Sequence, residues 1–208
     1  MAEVNFFQYS RTGLLHAPGI MTKTNPYPYM RTTKNIVVLL CSAGAVLRVA
    51  AADALPLDPH LEPLRPLLGK TWRGEFKNST PEKPVVDVSH WERVLNGKAV
   101  RVMHSINEGA YGGETIFTWD AKNQSVIYHY FTTAGFMTRG TMTFKDGKNV
   151  ALEQVTGDAG GVMEVRSTSE ILSDGSFHVK AEHLTKGEWL PGHEVTYHEA
   201  PEAKVIFK

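Results

Sequence analysis

The sequence predicts an all-β domain: a single antiparallel, up-and-down β-barrel of about ten strands. Three observations predict it. From Lys70 onward, short segments rich in Val, Ile, Thr, Phe, Tyr and Trp alternate with turn chemistry. Asn96-Gly97, Asp146-Gly147 and Asp174-Gly175 are dipeptides that tolerate the positive φ of tight hairpins. No segment keeps a 3.6-residue apolar period over three turns. Short loops force neighbouring strands to run antiparallel. A long run of twisted strands then tends to close on itself, because closure removes the edges. A β-sandwich is the rival arrangement.

The elements follow in chain order. Residues 1–29 contain Pro18, Pro26 and Pro28 and no apolar period, and read as a disordered extension upstream of a natural start at Met30. Residues 30–54 read as a signal peptide. The basic stretch Arg31-Thr32-Thr33-Lys34 precedes an apolar run from Ile36 to Leu47, and the small residues Ala50, Ala51, Ala52 and Ala54 follow. An apolar run of this length is too short for a bilayer core, which needs about 20 residues. This order predicts a periplasmic or secreted protein that is not integral to the membrane after processing. Its mature domain spans 55–208.

Pro56, Pro59, Pro63 and Pro66 mark the domain's entry as extended, with at most one helical turn around Leu61–Leu68. Strands are expected over 70–77, 85–95, 98–107, 113–120, 125–133, 136–145, 148–156, 162–172, 176–186 and 193–198, with a further one near 203–207. Alternation sorts their side chains. Val100, Val102, His104 and Ile106 share one face. So do Val126, Tyr128, Tyr130 and Thr132, and so do Phe136, Thr138, Gly140, Met142 and Phe144. Neither face of these strands is purely polar. Mixed faces suit a barrel whose interior holds a ligand or water.

Composition excludes several function classes. The whole chain has 22 basic and 22 acidic side chains, and 55–208 alone carries 17 basic against 20 acidic. A weakly acidic domain has no electrostatic reason to seek phosphate backbones, so no nucleic-acid partner is expected. The one cysteine, Cys41, lies in the signal segment, which leaves the mature domain without disulfides or thiolate metal sites. There is no glycine-rich phosphate cradle, no Gly-x-Ser-x-Gly elbow and no His-Glu-x-x-His. No cofactor is called for.

The segment Leu61-Glu62-Pro63-Leu64-Arg65-Pro66-Leu67-Leu68-Gly69-Lys70-Thr71-Trp72 resembles the opening of calycin-like barrels. In lipocalins, fatty-acid-binding proteins and nitrobindin-like proteins a Gly-x-Trp motif starts the first strand, and its Trp plugs one end. Here Gly69 and Trp72 are one residue further apart than in that motif. The tail Gly187-Glu188-Trp189-Leu190-Pro191-Gly192-His193-Glu194 resembles secreted bacterial lipocalin-like proteins of unknown function. The nitrobindin likeness implies a haem-binding histidine near the last strands, where His193 and His198 stand.

The residues themselves suggest further chemistry. Trp72, Trp91, Tyr128, Tyr130 and Phe131 are candidate ligand-binding aromatics. Arg101 and Arg139, if turned inward, could fix a ligand carboxylate through bidentate bonds. His90, His104 and His129 fall near the middle of neighbouring strands and could converge on a metal ion if they share a face. The plainer reading is a set of core aromatics, solvated outer charges and separate histidines. The expected function is an exported barrel that binds a small apolar or amphipathic ligand in its interior. The alternatives are a barrel-based enzyme using cavity His, Glu or Arg, and a filled barrel acting as an interaction protein.

Overall fold

The computed structural model describes residues 56–208. The upstream extension and the signal peptide expected from the sequence lie outside the described residues. A 3-10 helix at Pro59–Leu67 leads into ten strands. These are β1 (Lys70–Phe76), β2 (Val86–Val94), β3 (Ala99–Ile106), β4 (Tyr111–Asp120), β5 (Ser125–Thr132), β6 (Met137–Lys145), β7 (Lys148–Thr156), β8 (Val162–Ile171), β9 (Phe177–Thr185) and β10 (Glu188–Glu199). Each strand pairs antiparallel with the next, and β10 returns to β1, with Trp72 opposite Glu199 and Phe76 opposite Val195. The wall is a closed up-and-down barrel, as the hairpin series predicts.

Two elements differ from expectation. β10 begins at Glu188, five residues earlier than predicted. Pro191 and Gly192 obscure a strand in the sequence, but they sit at a bulge. Pro191 pairs with Glu182 and Glu194 with Lys180, so β10 spends one residue more than β9. Residues 203–207 form no strand. This tail is instead tied to the wall through the Ile206 amide, which donates to Ser105 Oγ at 2.9 Å. A second bulge on β8, between Val162 and Glu164, interrupts the other flank of β9.

The entry helix is longer than one turn. Asp58 caps it by accepting from the His60 amide, and Pro59 stands at its first position, where no amide is needed. Leu61, Leu64 and Leu67 recur at a spacing of three, which a 3-10 helix of three residues per turn lines up on one face. All three are buried. They close the end of the barrel where the β2–β3 and β4–β5 hairpins lie, against Trp72, Val100, Phe117 and Val126. Each such leucine contributes about 1.5–3 kcal/mol relative to exposure. His60 also stacks on Trp119, with ring centres 3.6 Å apart.

Outward-facing charges pair along the wall: Arg166 with Glu182 at 2.6 Å and Lys148 with Glu170 at 2.9 Å. Both pairs are exposed and contribute at most about 1 kcal/mol. Among the described residues no helix is long and apolar enough to cross a membrane.

Candidate functional site

With one end plugged, the other half of the barrel encloses a cavity of about 660 Å³. It opens toward the β1–β2, β3–β4 and β7–β8 loops, on the side away from the helix. Val102, Ile106, Phe136, Val155, Val165 and Val179 are part of its apolar lining. The faces that alternation predicts for β3, β5 and β6 are the inner ones: Val102, His104, Ile106, Tyr130, Phe136 and Thr138 all line the cavity.

A hydrogen-bonded chain crosses this lining. Asp87 on β2 is 3% exposed, and its two carboxylate oxygens are both engaged. The Tyr197 hydroxyl donates to Oδ2 at 2.7 Å, and His104 Nδ1 lies 2.9 Å from Oδ1. His104 Nε2 meets the Tyr130 hydroxyl at 2.7 Å, and Tyr130 meets Tyr111, also at 2.7 Å. With Nδ1–H donating to Asp87, Nε2 accepts from Tyr130, and Tyr130 in turn accepts from Tyr111. Burial raises all three phenols: Tyr111 to about 12, and Tyr130 and Tyr197 well above the usual range. They are neutral donors across the biological pH range. Gly113 makes room for the chain. A Cβ there would collide with the Tyr130 ring and the Phe131 carbonyl.

Two further groups titrate abnormally. Glu153 on β7 accepts from the Thr138 hydroxyl. Burial lifts its carboxyl from 4.5 to about 7, an effect that the Thr138 bond only partly opposes. His193 on β10 is pushed down to about 4, first by burial and then by neighbouring His183. The two imidazole centres lie 6.3 Å apart, and burial lowers His183 as well. Both rings are therefore uncharged at neutral pH. Trp91 lines the cavity, and its buried Nε1 donates to no group among the described residues.

The residues singled out by sequence divide between the two sides of the wall. Trp91, Tyr130 and His104 line the cavity. Trp72 is 1% exposed and belongs to the plugged end, where its Nε1 lies 3.4 Å from the Leu67 carbonyl. Tyr128 faces inward in the same packed half. Phe131 points outward and is 51% exposed. Arg139 is exposed on the outer wall, and Arg101 is paired there with Glu92 at 2.6 Å. The expectation of an inward arginine for a ligand carboxylate is therefore corrected: both sit at alternation positions opposite the cavity residues.

The three histidines proposed for a metal do not converge. His90 pairs with Met103, whereas His104 pairs with Ser89, so the two lie on opposite faces of the β2–β3 ladder. His129, beside Tyr130 on β5, also faces out. His90 instead meets Thr71 Oγ1 at 3.0 Å. Among the described residues no group of three His, Cys, Asp or Glu side chains is placed to hold a metal ion. Of the two histidines implied by the nitrobindin likeness, His198 is exposed and His193 lines the cavity. A neutral imidazole is a donor that haem iron accepts. Among the described residues no Lys or Arg lines the cavity beside it.

Fold and site together define a class: a ten-stranded closed barrel with one stoppered end and a largely apolar cavity crossed by a buried acid–imidazole–phenol chain. Comparison with known proteins supports the barrel itself. The solved structure of Rv2717c from M. tuberculosis superposes with a TM-score of 0.53 at 14% sequence identity, over 70% of this chain and 99% of that one. At that identity the likeness bears on fold alone. No family model matches the chain, and no curated protein matches it.

Proposed function

We propose that the barrel binds a small, largely apolar molecule in the cavity beneath its open end. The observation that carries this reading is the cavity itself. Its volume of about 660 Å³ lies within the range of roughly 300–1,000 Å³ found for small-molecule sites. An apolar lining supplies affinity, and a few fixed polar groups supply orientation. A barrel filled by its own side chains would have no such space, so the interaction-protein reading has less support. An exported protein remains part of the proposal, supported by the basic, apolar and small-residue order of 31–54.

The test is titration with N-phenyl-1-naphthylamine, an uncharged dye that brightens in apolar surroundings. Saturable brightening with one site per chain is expected, together with its loss when Val165→Trp fills the cavity. A dye signal that never saturates, or that survives Val165→Trp in a folded variant, refutes the reading.

A second reading rests on one specific observation. Asp87, His104, Tyr130 and Tyr111 form a continuous proton path on a cavity wall that also carries Glu153, which is the equipment of an acid–base enzyme.

A further inference from the structure

We infer that the cavity is built to take an uncharged amphiphile with a hydroxyl at its polar end, and to refuse the corresponding carboxylate. The inference rests on the small-molecule reading above and specifies what kind of molecule fits.

Charge is the first argument. Among the described residues, the cavity lining contains two carboxyl groups, Asp87 and Glu153, and no Lys or Arg. The two strand arginines best placed in sequence to greet an anion stand outside, Arg101 already bound to Glu92. Nor do the histidines of β9 and β10 supply a cation. His183 and His193 are held neutral by burial, and both nitrogens of His104 are committed, one to Asp87 and one to Tyr130. A ligand carboxylate would leave water for a site that offers no opposite charge, and it would sit near a second acid.

Hydrogen-bond roles are the second argument. Glu153 offers carboxyl oxygens beyond the single bond that it accepts from Thr138. A hydroxyl can donate to one of them, whereas a carboxylate can only accept.

The experiment uses two competitors with the same ten-carbon tail, decan-1-ol and decanoate, each titrated against N-phenyl-1-naphthylamine bound to the purified chain at about pH 8.5, where Glu153 is ionised and decanoate is an anion. Decan-1-ol is expected to displace the dye at a concentration lower than decanoate by about tenfold or more. Glu153→Gln, which removes the charge and keeps one acceptor oxygen, is expected to narrow the alcohol–carboxylate gap several-fold by improving decanoate. Decanoate binding as tightly as the alcohol overturns the inference, and so does a gap that Glu153→Gln leaves untouched. Dye binding with no displacement by either competitor refutes the ligand class but spares the cavity reading. Failure of the dye itself to bind refutes both.

Discussion

Replacing Glu153 with glutamine should make the protein more stable in alkaline solution and leave it nearly unchanged in acid. The carboxyl is partly buried beside Thr138, and its pKa rises from 4.5 to about 7. Below about pH 4.5 it is protonated in both folded and unfolded chains, so burial adds no charge penalty. Between there and about pH 7 the folded chain keeps a proton that the unfolded chain has released, and stability falls as pH rises. Above about pH 7 the full penalty is present and constant. The shift corresponds to an upper bound of about 3 kcal/mol. The side chain keeps some contact with the cavity mouth, and solvent reaching it there reduces the expected effect to about 1–2 kcal/mol. Glutamine retains an oxygen to accept the Thr138 hydroxyl and never ionises. For a domain of this size the gain corresponds to a Tm roughly 3–6 °C higher for Glu153→Gln at about pH 8.5. At about pH 4 the two proteins should melt together. Differential scanning calorimetry across that range measures the difference directly. A Tm difference that is flat with pH, or largest in acid, would refute the assignment of a buried, uncompensated carboxyl.

Two further perturbations separate the halves of the barrel. Asp87→Ala strands the buried Tyr197 hydroxyl and His104 Nδ1 together and should cost about 2–5 kcal/mol in urea unfolding; a loss under about 1 kcal/mol would show that the chain does not hold the wall together. Leu64→Ala, at a fully buried position of the stopper, should cost about 2–5 kcal/mol, and an unchanged denaturation midpoint would mean that the helix does not seal that end.

The fold was readable because barrel strands advertise themselves twice, through alternation and through turn residues. Asp146 and Gly147 both adopt positive φ at the β6–β7 turn, as their types suggest. Three leucines three residues apart were equally visible, but the prolines between them argued against a long helix; the 3-10 geometry tolerates both. The site was harder to see. His104 and Tyr130 fall on predicted inner faces, yet nothing local says which face is inner or that Asp87 and Tyr197, 110 residues apart, will meet. Phe131 and Arg139 follow the phase of their strands and not their residue type, each falling opposite the cavity-facing positions. Glu153 carried a usable signal, alternating with Ala151 and Val155 on β7. Its neighbours Val150 and Leu152 are exposed apolar residues and blur that signal.

The two bulges flanking β9 have a consequence for what the cavity wall presents. A cylinder of continuous ladders has no loose end and cannot be peeled open. Here the bonding irregularities fall on both sides of one staple, near Lys180–Thr185, at the rim away from the helix. Those few residues are gripped less regularly than the rest of the circumference, and His183 is among them. The extra residue on β10 falls between Pro191 and Glu194, and there the consecutive residues Leu190 to His193 all border the cavity, which strict alternation would forbid.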